Sequence, residues 1–144
     1  MNANDPRGAT LPYDPDSVHV SVRIARDRHD VYAYASDPAH LPAWAAGLGS
    51  TLTRTDEGRW ITGDSPLGRA EVVFTPPNDF GVLDHDVTLP SGETVHNPVR
   101  VIADGAGSEV VFTLRRRGMS DEEFRRDAAA VHADLTTLKG ILEA

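Results

Sequence analysis

Cysteine is absent from this chain of 144 residues, so the sequence holds no disulfide, no thiolate nucleophile and no cysteine ligand for zinc. Its apolar runs are short, and none approaches the roughly 20 residues that a membrane-spanning helix needs. Residues 1–16 contain no apolar segment of the kind that defines a secretion signal. These absences predict a cytoplasmic protein with no membrane span.

Lysine is almost absent too, since Lys139 is the one lysine among the 14 Lys and Arg residues. The formal net charge of -8 argues against non-specific binding to nucleic acid, which needs positively charged faces. The sequence also lacks the Gly-x-Ser-x-Gly, P-loop, Gly-x-Gly-x-x-Gly and His-Glu-x-x-His motifs. These absences disfavour a serine hydrolase, a nucleotide-binding enzyme and a zinc peptidase, and no cofactor is expected.

The length predicts one domain, preceded by a short tail. Residues 1–16 contain three prolines and show little periodicity, so we expect a flexible lead-in there and a single domain over residues 17–144. Apolar and polar residues alternate from Val18 to Ile24, which predicts a half-buried strand. Two short helices are expected next, the first capped by Asp27 and the second begun by Asp37-Pro38.

Residues 51–117 are typical of short strands separated by turns. The strands are predicted at Thr51–Thr55, Arg59–Thr62, Arg69–Thr75, Phe80–Leu89, Thr94–Ala103 and Glu109–Arg117. Ser120 and Glu123 then form a capping box, followed by about 22 residues of amphipathic helix. The apolar stripe of that helix is Phe124, Ala128, Val131, Leu135, Leu138 and Leu142. Strands between helices predict an α+β fold, with the long helix lying across an antiparallel sheet.

Two loops set the expected register of this sheet. If Ser91-Gly92 is a two-residue hairpin loop and Ile102 lies opposite Val110, the larger apolar side chains share one face. That face, taken as the core face, holds Leu83, Val87, Leu89, Ile102, Val110, Phe112 and Leu114. The same register also points four polar side chains inward, those of His85, His96, Arg100 and Arg116. Since unpaired buried cations are costly, these groups are expected at the rim or around a hydrated ligand cavity, with Tyr34 and Trp44 closing one end.

Several short motifs follow one another in a familiar order. They are Asp37-Pro38 through Pro42-x-Trp44, Phe80–His85, Asn97–Val101, Gly107–Leu114 and the segment Asp134-Leu135 to Leu138-Lys139. Together they resemble the SRPBCC superfamily, the START-like helix-grip domains related to polyketide cyclases/dehydrases, and in particular a bacterial branch of it. The resemblance covers about residues 17–143.

This resemblance implies a helix-grip fold, in which a seven-stranded antiparallel sheet wraps around the C-terminal helix, with two short helices after the first strand. It also implies an apolar cavity between sheet and helix. The residues expected to bind the ligand are Tyr34, Trp44, Leu83, His85, Val87, His96, Arg100, Phe112, Leu114, Arg116, Val131 and Leu135. The superfamily includes cyclases, lipid carriers, hormone receptors and co-chaperones, so the function has to be argued from the site.

Three functions stay open. The first is binding of a small hydrophobic or aromatic ligand, whose acid group, where present, would meet Arg100. The second is a polyketide cyclase/dehydrase-like enzyme with His85 as acid/base and Arg100 stabilising an oxyanion. The third is a protein-interaction module that resembles heat-shock ATPase activators. In each case the protein is expected to be a monomer or a homodimer.

Each candidate residue has a plain structural alternative. His85 could be a core histidine satisfied by a neighbour, and the aromatic residues could simply fill the core. Arg100 and Arg116 could extend to the rim or pair with acidic residues on the helices. No metal site is expected around Asp84 and Asp86, because neighbours along a strand point to opposite faces.

Overall fold

The computed structural model describes residues 16–144, which fold as an α+β domain. Its strands are β1 (Ser17–Ile24), β2 (Leu52–Arg54), β3 (Trp60–Thr62), β4 (Glu71–Phe74), β5 (His85–Thr88), β6 (Thr94–Asn97), β7 (Val99–Asp104) and β8 (Gly107–Arg115). Its helices are α1 (Arg28–Ala35), α2 (Leu41–Trp44) and α3 (Asp121–Glu143), with single 3₁₀ turns at Pro38–His40 and Ala46–Leu48. Nearly all of the predicted lead-in lies outside the described residues, so the division at residue 17 stays a prediction.

The strands form two antiparallel sheets, ordered β1-β8-β7 and β2-β3-β4-β5-β6. The sheets meet where β6 runs into β7 across Pro98, a residue that has no N–H to give to a strand ladder. Next to this break the Leu83 N–H donates to the Val99 carbonyl at 2.8 Å, and Val82 pairs with Arg100 as an isolated bridge. With β6 and β7 counted as one broken strand, the arrangement is the predicted seven-stranded helix-grip fold.

The predicted helix starts are confirmed by their caps. The Asp27 carboxylate accepts the His29 N–H at 2.7 Å, and the Asp37 carboxylate accepts the Ala39 N–H at 3.0 Å. At α3, Ser120 and Glu123 exchange side-chain-to-backbone hydrogen bonds as a full capping box. These bonds satisfy N–H groups that the first turn of a helix leaves without partners. None of the helices within residues 16–144 is long and apolar enough to cross a membrane.

The predicted register is wrong at both hairpin loops, by one residue each. Between β5 and β6 the loop is Pro90–Gly92, because the Leu89 N–H donates to the Glu93 carbonyl and Gly92 takes a φ of 92°. This is the three-residue hairpin that ends in a left-handed residue. Between β7 and β8 the loop has only two residues, with Asp104 opposite Gly107.

Because the two one-residue errors compensate each other, β8 keeps its predicted inward and outward faces. The segment between the two loops has these faces exchanged. Val99 and Val101 are buried, whereas Ile102 is 47% exposed on the outer face beside Arg100. The faces of β5 and β8 are as predicted, with Val87, Val110 and Leu114 buried. A one-residue slip exchanges the two faces of a strand, so the whole segment 94–103 was assigned to the wrong sides.

Two clusters of apolar side chains make the core. In the first, the α3 stripe packs against β1, α1 and the β7-β8 hairpin, and its fully buried members include Ile24, Val31, Val110, Leu135 and Leu138. The second joins α2 and its following turn to β4 and β5. Trp44 packs against both clusters.

Candidate functional site

A cavity of about 450 Å³ opens between the two core clusters, bounded by α3, by α2 with the turn that follows it, and by the inward faces of β4–β8. The strand side chains on its wall are Phe74, Leu83, His85, Val87, Leu89, Val95, Asn97, Val99, Phe112 and Leu114. Solvent-exposed lining residues, such as Gly47, Pro66, Leu67 and Ala130, mark its mouth. The volume and the mostly apolar wall are those of a small-molecule site.

Eight of the predicted ligand-binding residues lie on this wall. They are Trp44, Leu83, His85, Val87, Phe112, Leu114, Val131 and Leu135. The strand members come from β5, the segment before it and β8, whose faces the sequence assigned correctly, and Val131 and Leu135 come from the α3 stripe. The sequence pattern therefore located the cavity, although their contact with a ligand stays a prediction.

His85 is held on the cavity wall by contacts on both ring nitrogens. Its Nδ1 lies 3.1 Å from the Leu83 carbonyl, and its Nε2 lies 3.5 Å from the Asn97 side-chain nitrogen. A carbonyl accepts and an amide nitrogen donates, so this pattern fits a neutral ring with its proton on Nδ1. Burial lowers the pKa of His85, an effect opposed by the Leu83 carbonyl and by nearby Asp84.

The ring of His85 also lies between two aromatic side chains. Its centroid is 5.9 Å from that of Phe74, at a tilted angle, and 6.1 Å from that of Phe112, edge to face. Both phenylalanines line the cavity. The imidazole can therefore offer a hydrogen bond within an otherwise aromatic wall.

Arg100 does not line the cavity, contrary to the sequence-based register. It projects from the outer face of β7 and makes a two-pronged ion pair with Asp84, Nε to Oδ1 at 2.8 Å and Nη2 to Oδ2 at 2.7 Å. The Val99 N–H donates to the same carboxylate at 2.9 Å. The Arg100 guanidinium lowers the pKa of Asp84, and burial opposes this effect. Arg100 thus has a structural partner and cannot share a substrate in the cavity with His85.

His96 lies on the same outer face and was also expected inside. Its Nδ1 is 2.6 Å from an Asp86 carboxylate oxygen, and its side chain is 60% exposed. The pairing of Asp86 with His96 across β5 and β6 places both outward, since cross-strand partners share a face.

Arg116 and Tyr34 do not line the cavity either. Arg116 donates to Asp121 at 2.7 Å and lies 4.9 Å from the centroid of the Phe124 ring, so it packs against the start of α3. Tyr34 stacks on His40 with ring centroids 4.1 Å apart, beside a separate shallow cleft near the end of α3. The sequence analysis expected both side chains at the cavity, and it was wrong about the position of each.

Acidic residues of α3 lie at the cavity instead of the expected cations. Asp127 and Asp134 line it, separated by two helical turns, and Arg117 lines it from the loop between β8 and α3. The Asp134 Oδ1 accepts the Ala46 N–H at 3.3 Å. Burial raises the pKa of Asp134, while the Ala46 and Gly47 N–H groups act in the opposite direction.

A family model described as polyketide cyclase / dehydrase and lipid transport matches residues 15–143. The chain belongs to this family. That assignment confirms the SRPBCC resemblance, and the α+β helix-grip architecture agrees with it. No curated protein matches the chain.

Solved structures with this family's fold superpose closely on the chain. DynU16, described as a putative protein in the dynemicin biosynthetic locus, has a TM-score of 0.72 and 14% identity over 90% of this chain and 48% of its own. XoxI from Bacillus cereus has a TM-score of 0.69 and 15% identity, over 89% of this chain and 96% of its own. An Aha1 dimer from Colwellia psychrerythraea has a TM-score of 0.70 and 12% identity, over 88% of this chain and 96% of its own. The chain spans about half the length of DynU16, and identities this low show the fold alone.

The sequence contains a signal for the two acidic residues of the cavity. Asp127 and Asp134 flank the apolar stripe of α3, each within three or four residues of Val131, so they border the helix face that meets the sheet. For Asn97 and Val95 no such signal existed, because their face depended on the misjudged hairpin loop.

Proposed function

We propose that the chain binds a small hydrophobic or aromatic molecule in the cavity between α3 and the sheets. The observation that carries this proposal is the 450 Å³ cavity itself, whose wall is mostly apolar. Well-packed cores rarely keep a void larger than a water molecule, so a space of this size inside a domain favours a ligand.

The wall also supplies a few polar groups that would orient such a ligand. His85, Asn97 and Thr75 lie among the apolar residues of the strands. Phe74 and Phe112 flank the ring of His85 at the distances usual for aromatic pairs, and both line the cavity, where they are available to pack against a flat ligand. A planar, mostly apolar molecule with one or two polar substituents fits this arrangement.

A polyketide cyclase/dehydrase-like activity is the second candidate, and one observation favours it. His85 lies on the cavity wall, and with its proton on Nδ1 its Nε2 is an acceptor that could take a hydrogen bond from the hydroxyl of a bound enol in place of Asn97. Arg100 is not part of this proposal because it lies outside. With His85 alone, turnover of a reactive substrate would depend on one acid/base group.

Binding can be tested with a neutral fluorescent ligand, N-phenyl-1-naphthylamine. We expect its fluorescence to rise on titration into the protein, and the melting temperature to rise with it. Val131→Phe, which puts a larger side chain on the cavity wall, should weaken binding at least tenfold. Ala133→Phe adds the same ring to an exposed position of α3 and should leave binding unchanged.

The result that would overturn the proposal is equal binding to both variants, or no binding by the unmodified protein. Absence of binding, with specific retention of a partner protein, would favour the interaction module instead. A cytoplasmic location remains a prediction that cell fractionation would test. A monomeric or homodimeric state remains a prediction that light scattering would test.

A further inference from the structure

We propose that the cavity selects ligands that carry a protonated amine beside their apolar body, with Asp134 as the anionic partner of that amine. This inference rests on the proposed function, because it concerns the same cavity. It replaces the expectation from sequence that the cavity would be cationic and would receive an acid.

The charges that line the cavity argue for this preference. Among the described residues on its wall the acidic and basic side chains are Asp127, Asp134 and Arg117, together with His85, whose pKa burial lowers. Arg117 is already engaged, because its Nη1 lies 3.0 Å from a Glu93 carboxylate oxygen. The acids are therefore the charges left to meet a ligand.

Asp134 is the better placed of these two acids. It makes no ion pair with any of residues 16–144, and its hydrogen-bond partners among them are the backbone N–H groups of Ala46 and Gly47. The Ala46 contact is long, at 3.3 Å, so the carboxylate keeps unused capacity to accept hydrogen bonds. Burial takes away part of the water that stabilises the charge of this half-buried carboxylate. A nearby cation stabilises that charge in place of the water.

The apolar surroundings strengthen the same preference. Trp44 lines the cavity and ends α2 two residues before Ala46, so an aromatic side chain lies close in sequence to the N–H groups that bond to Asp134. Aromatic faces attract cations and repel anions. A carboxylate ligand would instead approach two acids inside a chain whose net charge is -8.

The experiment compares three ligands that share one naphthalene ring system: 1-naphthylmethylamine, 1-naphthalenemethanol and 1-naphthoic acid. At pH 7 and low salt, calorimetry should show the amine binding at least tenfold more tightly than the acid, with the neutral alcohol between them. The neutral alcohol separates the two proposals. If none of the three ligands binds, the proposed function fails. If the alcohol binds and the acid binds as tightly as the amine, only the inference about charge fails.

Two matched variants identify the partner. Asp134→Asn keeps the shape of the side chain and should weaken amine binding about tenfold, with little change for the alcohol. Asp127→Asn removes an equal charge two turns away and should change amine binding about twofold or less. Equal losses in both variants would show a general effect of negative charge and would overturn the role of Asp134. Tight binding of the acid that is lost in Arg117→Gln would overturn the amine preference altogether.

Discussion

Asp84 shows how one carboxylate can fix a junction between two sheets. It accepts hydrogen bonds from the Arg100 guanidinium on β7 and from the Val99 N–H, next to the break at Pro98. Its side chain is 13% exposed, whereas that of Arg100 is 49% exposed. A largely buried carboxylate stabilises the fold only while all of its charge-assisted hydrogen bonds are present.

Arg100→Met tests the structural role of Arg100. The variant keeps an apolar stem and removes the guanidinium, so Asp84 loses its ionic partner and the free energy of unfolding should fall by about 1–3 kcal/mol. Affinity for N-phenyl-1-naphthylamine should not change, because Arg100 lies outside the cavity. Urea denaturation and fluorescence titration measure the two quantities.

The control for this variant is Arg126→Met, which removes an exposed i,i+4 pair of α3 and should cost less than about 0.5 kcal/mol. A large loss of ligand affinity in Arg100→Met, without loss of stability, would return Arg100 to the site and contradict its assignment to the outer face.

His85 makes folding sensitive to acid. Burial lowers the pKa of the folded group below its usual value, so between that pKa and about 6.5 the unfolded chain binds a proton that the folded one does not. The contribution of His85 to stability is therefore complete above pH 6.5 and is lost as the pH falls below it. Urea denaturation at pH 7.5 and 5.5 should show a smaller loss for His85→Gln than for the unmodified protein.

His132 is exposed on α3 and provides the comparison for this experiment. His132→Gln should keep the full acid sensitivity of the unmodified protein. If His85→Gln keeps it as well, then the ring of His85 is as easily protonated in the folded state as in the unfolded one, and the neutral ring is the wrong description.

At the scale of elements, the sequence predicted every helix and most strands, but it did not predict the pairing of strands. Caps and apolar stripes are local signals, so Ser120, Glu123 and the stripe of α3 could be read from the sequence directly. Register depends on a loop's exact length, and Pro90-Ser91-Gly92 supports a three-residue loop as readily as Ser91-Gly92 supports a two-residue one. One such choice decided whether Arg100 or Val99 faces the cavity.

The cap of α3 carries a measurable share of the stability. Ser120→Ala removes the hydroxyl that accepts the Glu123 N–H at 3.1 Å, and should lower the free energy of unfolding by about 1 kcal/mol. Ser120→Thr keeps a hydroxyl and should recover at least half of that loss. Thermal unfolding followed by circular dichroism distinguishes the two; equal losses would mean that the hydrogen bond of the cap contributes nothing.

At the scale of the whole molecule, the position of the cavity was predictable and its charge was not. The long stripe of α3 requires a sheet to pack against, and the family resemblance implies a cavity between the two. The charge of the lining depends on single residues at the borders of faces. Arg100 and His96 point outward to Asp84 and Asp86, while Asp127, Asp134 and Arg117 border the cavity. The wall that was expected to be cationic therefore carries two acids and one cation.

The central claim, that a ligand lies between α3 and the sheets, is tested most directly by methyl NMR of the protein titrated with 1-naphthalenemethanol. The account predicts shift changes and ligand contacts at the methyl groups of Leu83, Val87 and Leu135 on the cavity wall. The methyl groups of Ile102 and Val73, which are exposed, should not move. Changes centred on Ile102, Val73 or Ile141 with none at the cavity wall would contradict it.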